Sequence, residues 1–221
     1  MAIDMDYPTI AWNGSGYHLT WIGRNSFDNA RFMQLDPTAK QIGTDFPLST
    51  ASAYYPTVIG TPPGSAAAWT EGNLVRFAAL NAGAVAYQMP ITATGSISEP
   101  VAAAWTGSAL ALAWLSDPFH LWFALADLAT GDTTVPDETA ETVGQVRPLV
   151  ASYPIGFGLV QTYPMSIPSL VFALRDASGA KVGEGIPLAA AGSRPSLAFG
   201  KDRFAVVYAD AGQIQLVFVK P

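Results

Sequence analysis

Short apolar runs alternate along the chain with clusters of Gly, Pro, Asn, Asp and Ser, and the pattern recurs. The runs are too short for helices; bounded by turn residues, they predict β-strands. A proline opens one run in every cycle: "PTIAW" at Pro8, "PTVIG" at Pro56, "PVAAAW" at Pro100, "PLVASY" at Pro148 and "PSLAF" at Pro195. These prolines are 48, 44, 48 and 47 residues apart. An aromatic anchor follows each after 13 to 15 residues: Trp21, Trp69, Trp114, Tyr163 and Tyr208. A phenylalanine follows after 21 to 24: Phe32, Phe77, Phe123, Phe172 and Phe218. Four residues beyond it, Asp36, Asn81, Asp127 and Asp176 are expected to open turns. A second proline recurs in "FPLS", "MPIT", "VPDE" and "IPLA".

Each cycle therefore predicts four strands. The first follows the opening proline, and a turn such as "NGSG" leads to the second, with Asn13-Gly14 supplying the positive φ of a hairpin. The second ends on the aromatic anchor, the third holds the Phe, and the fourth starts near the second proline. One such sheet cannot bury both its faces, whereas stacked copies can. The expected fold class is all-β: a five-bladed β-propeller of four-stranded blades, one domain over residues 1–221, with repeats starting near 8, 56, 100, 148 and 195. The fifth cycle stops at Pro221 after its third strand. "MAIDMDY" alternates apolar Met1, Ile3 and Met5 with Asp4 and Asp6, as a half-buried strand does. Residues 1–7 are thus expected to close the last blade. A linear stack completed by a neighbouring chain is the competing architecture.

The stretch from Pro8 to Gly43 resembles a group of bacterial tandem β-propeller repeats whose usual form is close to "yPslaWnGsgyvvaW…iyfarLdasGnkvG", and Phe172 to Leu188 matches its second half. The resemblance spans essentially the whole chain and rests on turn and packing residues, so it implies a propeller and transfers no catalytic residue. In blade number and repeat length the chain is also similar to tachylectin-2-like five-bladed lectins, which implies sugar sites between blades. Equivalent sites would need similar polar residues in each repeat, and these repeats agree mainly at apolar and turn positions.

Composition narrows the classes. Half of the 221 residues are apolar and 13% are charged, about half the usual charged share of roughly 25%. A net charge of −6 without a basic cluster excludes nucleic acid as a partner. No cysteine is present, so the redox compartment stays open. The start lacks signal-peptide features, which leaves the cytoplasm, or secretion after removal of a leader. The most apolar region, "LALAWLSDPFHLWFALADL", is broken by Asp117, Pro118 and His120, so no membrane span is expected. No P-loop, Rossmann fingerprint or G-x-S-x-G elbow occurs and no cofactor is expected. Two histidines without cysteine do not suggest zinc.

The residues preceding the five opening prolines are Tyr7, Tyr55, Glu99, Arg147 and Arg194. In a propeller they would ring the channel mouth, where the arginines could grip an anion in a fork. Solvated loop residues are the plain alternative, and a residue before proline is expected to be extended. The loops between second and third strands would rise on the same face and carry Arg24, Asp28, Asp117 and His120. His120, near Asp117, could serve as an oriented base or a polar ligand contact. His18, in "GYHLTW", reads as a sheet-face residue. Trp12, Trp105 and Trp122 are expected to pack between blades. Three functions fit. The first is binding of a carbohydrate or other small polar ligand at this face. The second is a single-site enzyme, for instance a glycosidase using Glu99 with Asp28 or Asp117, which needs carboxylates about 5–10 Å apart. The third is a protein-interaction scaffold.

Overall fold

A computed structural model describes residues 5–24, 28–81, 84–92, 97, 100–116, 120–134, 137–142, 148–163 and 169–221. They form antiparallel strands and no helix. The first sheet is β1 (Met5–Trp12), β2 (Tyr17–Arg24), β3 (Asp28–Leu35) and β4 (Gln41–Pro47), and the second is β5 (Tyr54–Thr61), β6 (Gly64–Glu71), β7 (Leu74–Asn81) and β8 (Ala84–Thr92). The third comprises β9 (Ala102–Trp105), β10 (Leu110–Ser116), β11 (His120–Ala126) and β12 (Asp137–Thr142). The fourth comprises β13 (Leu149–Tyr153), β14 (Gly156–Thr162), β15 (Leu170–Asp176) and β16 (Lys181–Ala189). The last has three strands, β17 (Ser193–Gly200), β18 (Arg203–Asp210) and β19 (Gln213–Val219). Every sheet runs in chain order, as hairpin-linked strands do.

Two compact units result. Unit 1 holds residues 1–101 and 127–133, and unit 2 holds 102–126 and 134–221. Within unit 1, Ile22, Ala30, Phe32 and Leu48 of the first sheet region pack on Val58, Ala67, Trp69 and Leu80 of the second. Within unit 2, Ala113, Leu115 and Phe123 pack on Phe157 and Leu159, and Val160 and Phe172 pack on Phe204, Val206 and Tyr208. Within each unit, sheets stack face to face. β6, β10 and β14 are buried at every position except the last residue of β6. That explains why "LALAWLS" shows no alternation.

The hairpin turns follow from their first residue. Asp36 Oδ1 accepts hydrogen bonds from the backbone N–H of Thr38 (2.8 Å) and Lys40 (2.9 Å), and Asp176 Oδ1 does the same for Ser178 (2.8 Å) and Ala180 (3.0 Å). Side-chain bonds from Thr38 and Ser178 are the largest of the influences that hold both carboxyls below their ordinary range. Asn13 Oδ1 caps the first turn in the same way, accepting from Ser15 and Gly16, with Gly14 at φ 98°.

Four expectations are corrected. In three sheets the second proline does not begin the fourth strand: Pro47 ends β4, and Pro90 and Pro187 lie late in β8 and β16, whereas β12 begins at Asp137, directly after the proline of "VPDE", as expected. These are outer strands, where a missing N–H costs nothing. In the fourth sheet, Leu149 pairs with Val160 and Val160 with Phe172, so Gln161 rather than Tyr163 takes the aromatic anchor's register position. The Tyr163 hydroxyl donates to Gln161 Oε1 at 2.6 Å. In the last sheet, Leu216 pairs with Val207 where Phe32 pairs with Thr20, which leaves Phe218 two residues beyond the anchor and 57% exposed. Finally, Met5 and Asp6, expected in a closing strand, pair with Gly23 and Ile22 inside the first sheet. The rest of that expected strand, residues 1–4, lies outside the described residues.

The register predicts distinct costs for two phenylalanines. Phe77→Ala, at a fully buried anchor, should destabilise the protein by about 3–5 kcal/mol. Phe218→Ala should cost under about 1 kcal/mol. Urea denaturation of the two variants checks the difference.

Candidate functional site

Three of the five pre-proline residues lie among the described residues, and all three share one unusual geometry. Asp6 pairs with Ile22 and Thr9 with Thr20, so Tyr7 and Pro8 together face Trp21. Tyr55 and Pro56 face Trp69 in the same way, and Arg194 and Pro195 face Tyr208. Two residues opposing one is a β-bulge. Proline has no N–H for the ladder, and the bulge lets pairing resume beyond it without leaving that donor position unmet.

Tyr7, Tyr55 and Arg194 accordingly have φ of 52°, 53° and 50°. The extended backbone expected before proline is thus corrected to left-handed, because the strand must bend there to keep pairing on both sides. A non-glycine residue in this region stores about 1–3 kcal/mol of strain.

Within unit 1 the bulges bring two predicted residues together. The Tyr7 and Tyr55 rings meet edge to face, 5.0 Å between centroids at 72°. Tyr54 stands beside them, 6.2 Å from Tyr55. Tyr7 and Tyr54 are 49% and 45% exposed. Arg24, which ends β2, forms an ion pair with Asp6 next to Tyr7. Hydrogen bonds brace the backbone beneath: Thr9 donates to the Pro56 carbonyl (3.4 Å), and Thr70 donates to that of Tyr54 (3.2 Å). The result is an open aromatic patch with a carboxylate and a guanidinium at its side. It offers ring faces to C–H groups and charged hydrogen-bonding groups to hydroxyls.

In unit 2, Arg194 is exposed on its own bulge. His120 opens β11, half-buried, with Ser116 and Thr142 as its strand partners. Asp28 lies across from Arg24 at the start of β3. Glu99, Arg147 and Asp117 lie outside the described residues, so the expected pairings of Glu99 and Asp117 are not described. Asp6 and Tyr54 were missed, although both adjoin predicted tyrosines in the sequence. A hollow of about 430 Å³ on the last sheet, lined by Phe199, Arg203, Ala205 and Phe218 among others, carries no sequence signal. Trp12, expected between sheets, is 48% exposed and edge-on to Tyr17. Among the described residues no group of three His, Asp or Glu could hold a metal ion, and no helix is long and apolar enough to cross a membrane.

His18 is a buried sheet-face residue rather than a surface group. Asn13 Nδ2 (3.2 Å) and Gln34 Nε2 (3.1 Å) both approach its Nε2, and Ser65 Oγ lies 2.6 Å from Nδ1. Asn13 Oδ1 is engaged by the turn, so its amide N–H₂ faces the ring. Nε2 is therefore the acceptor and Nδ1 carries the proton, donating to Ser65. Burial lowers the His18 pKa below its ordinary 6.5.

No protein-family model matches the chain, and no curated protein matches it in sequence. Solved structures do resemble it. A cobalt-substituted Synechocystis apocarotenoid oxygenase matches 99% of this chain at TM-score 0.56 and 13% identity. A subtype N10 neuraminidase-like protein from A/little yellow-shouldered bat/Guatemala matches 99% at 0.57 and 6%. The GH43_1 enzyme from Xanthomonas citri, complexed with xylose, matches 98% at 0.54 and 12%. The chain spans 59% of the oxygenase, 83% of the neuraminidase-like protein and 87% of the GH43_1 enzyme. These neighbours are β-propeller proteins, and at such identities the likeness concerns the fold alone.

Two measurements follow. Arg194→Gly should raise stability by about 1 kcal/mol, by releasing left-handed strain, while Arg194→Ala should not; chemical denaturation separates them. For His18, the unfolded chain takes up a proton below about pH 6.5 that the folded chain refuses. Stability should therefore fall as pH drops from about 7.5 to 5.5. Thermal melts of His18→Gln should show a flatter dependence over that window.

Proposed function

We propose that the five sheets are blades of a β-propeller of the bacterial tandem-repeat kind, and that the protein binds a small polar ligand of the carbohydrate class. The observation that carries this reading is the left-handed bulge before Pro8, Pro56 and Pro195. Glycine would occupy those positions without strain, yet the chain places Tyr, Tyr and Arg there. Strain of this kind persists where the side chain has a task. Two of the three are aromatic: Tyr7 is exposed with Tyr54, Tyr55 is half-buried against both, and the Asp6–Arg24 pair adjoins them. Stacking on a ring face with hydroxyls bound at the rim is how such a surface would hold a sugar. Propellers also serve as enzymes, among them the GH43_1 neighbour whose structure holds xylose, but fold does not fix function.

A glycan-array screen followed by calorimetry tests this. A defined sugar should bind saturably, and Tyr7→Ala or Tyr55→Ala should weaken it at least tenfold, about 1.4 kcal/mol. Trp12→Ala, outside the patch, should bind as the parent does. No binding by well-folded protein would overturn the carbohydrate reading.

A further inference from the structure

Arg24 ends β2 with a carboxylate on either side of it. Asp6 of β1 forms an ion pair with it, and Asp28 of β3 is its cross-strand partner. Ile22, two residues earlier, packs in the core shared with the second sheet. Strand alternation places Arg24, and Asp28 opposite it, on that same face. They therefore look toward the sheet whose first strand carries Tyr54 and Tyr55. The chain is stitched at this point, because the N–H of Ala53, directly before Tyr54, donates to the Asp28 carbonyl at 2.8 Å. Two carboxylates around one guanidinium leave a local excess of negative charge, on a protein whose net charge is −6. At the end of the second sheet Glu71 and Arg76 pair with each other and do not alter that balance.

We infer that the tyrosine patch selects uncharged sugars and rejects acidic ones, with Asp6 and Asp28 setting the preference. The inference rests on the carbohydrate reading and adds to it the charge class of the ligand. The Arg24 guanidinium is already committed. An acidic sugar would have to take it from Asp6 and then sit beside both carboxylates. A hydroxyl requires neither, since it donates to a carboxylate oxygen and accepts from the guanidinium while the pair stays intact. The side chains are open enough for that, with Arg24 52% and Asp6 35% exposed. Asp6 acts twice, by occupying Arg24 and by repelling an anion. Removing its charge should release Arg24 to grip a carboxylate. Removing the Asp28 charge takes away repulsion alone, so its effect should be smaller.

Calorimetry on the intact chain with matched methyl glycosides tests this: glucoside against glucuronide, and galactoside against galacturonide. The members of each pair differ only in the carboxylate at C6. The neutral member should bind at least tenfold tighter at low salt. Raising salt from roughly 10 mM to 1 M shortens the Debye length from about 30 Å to about 3 Å and should narrow the gap in the parent protein itself. Asp6→Asn should abolish or reverse the preference and Asp28→Asn should reduce it, both with the parent's circular dichroism spectrum. Acidic sugars that bind as well as neutral ones, and are weakened alike by Tyr7→Ala, would overturn the inference and leave the carbohydrate reading standing. A neutral preference that neither salt nor Asp6→Asn alters would overturn it too. Binding of neither kind by well-folded protein would overturn the carbohydrate reading and this inference with it.

Discussion

Everything distinctive in this molecule depends on a proline placed inside the first strand of a sheet, where pairing with the second strand continues on either side of it. Proline cannot donate to the ladder, and the chain answers with a bulge in which two residues face one aromatic. That single constraint sets the spacing from Pro8 to Trp21, from Pro56 to Trp69 and from Pro195 to Tyr208. It also forces the preceding residue into the left-handed region, where its side chain is turned out of the ladder. Trp21 and Trp69 are buried opposite their bulges with indole N–H groups that have no partner among the described residues. The aromatic anchors are therefore held by apolar packing, which must outweigh about 1–3 kcal/mol for each unmet donor.

The scarcity of charge has the same structural origin. Sheets that stack face to face within each unit leave few inner-strand positions for polar side chains, Thr20, Gln161 and Arg175 among them. Unlike the unmet indole N–H groups, the buried His18 ring is satisfied locally, by Asn13, Gln34 and Ser65. The proposed ligand surface lies at strand ends, where the bulges present Tyr7 and Tyr55 against each other and the Asp6–Arg24 pair stands beside them.

Much of the fold is legible in the sequence because its anchors are chemical necessities. Asp36 and Asp176 open turns since a carboxylate can accept several N–H groups at once, and Asn13-Gly14 supplies the positive φ a tight hairpin needs. Register was less legible. The aromatic at Tyr163 and the phenylalanine at Phe218 sit two residues from their counterparts' positions, and residue type alone does not distinguish a buried anchor from an exposed neighbour. The candidate site could be named in the sequence as a set of pre-proline positions, but its geometry at the three described ones could not. The usual preference of a pre-proline residue for extended backbone holds for a free chain, whereas here cross-strand pairing on both sides overrides it. Which tyrosines would touch, and that Asp6 would join them, depends on packing between sheets that no local pattern encodes.

Backbone and side-chain NMR shift mapping, with the protein titrated by small polar ligands such as monosaccharides, tests the central claim most directly. The account predicts that perturbations concentrate at Tyr7, Tyr54, Tyr55 and the Asp6–Arg24 pair and at the amides of the Tyr7 and Tyr55 bulges. Perturbations confined to other surfaces, such as the hollow beside Phe199 and Phe218, would contradict it.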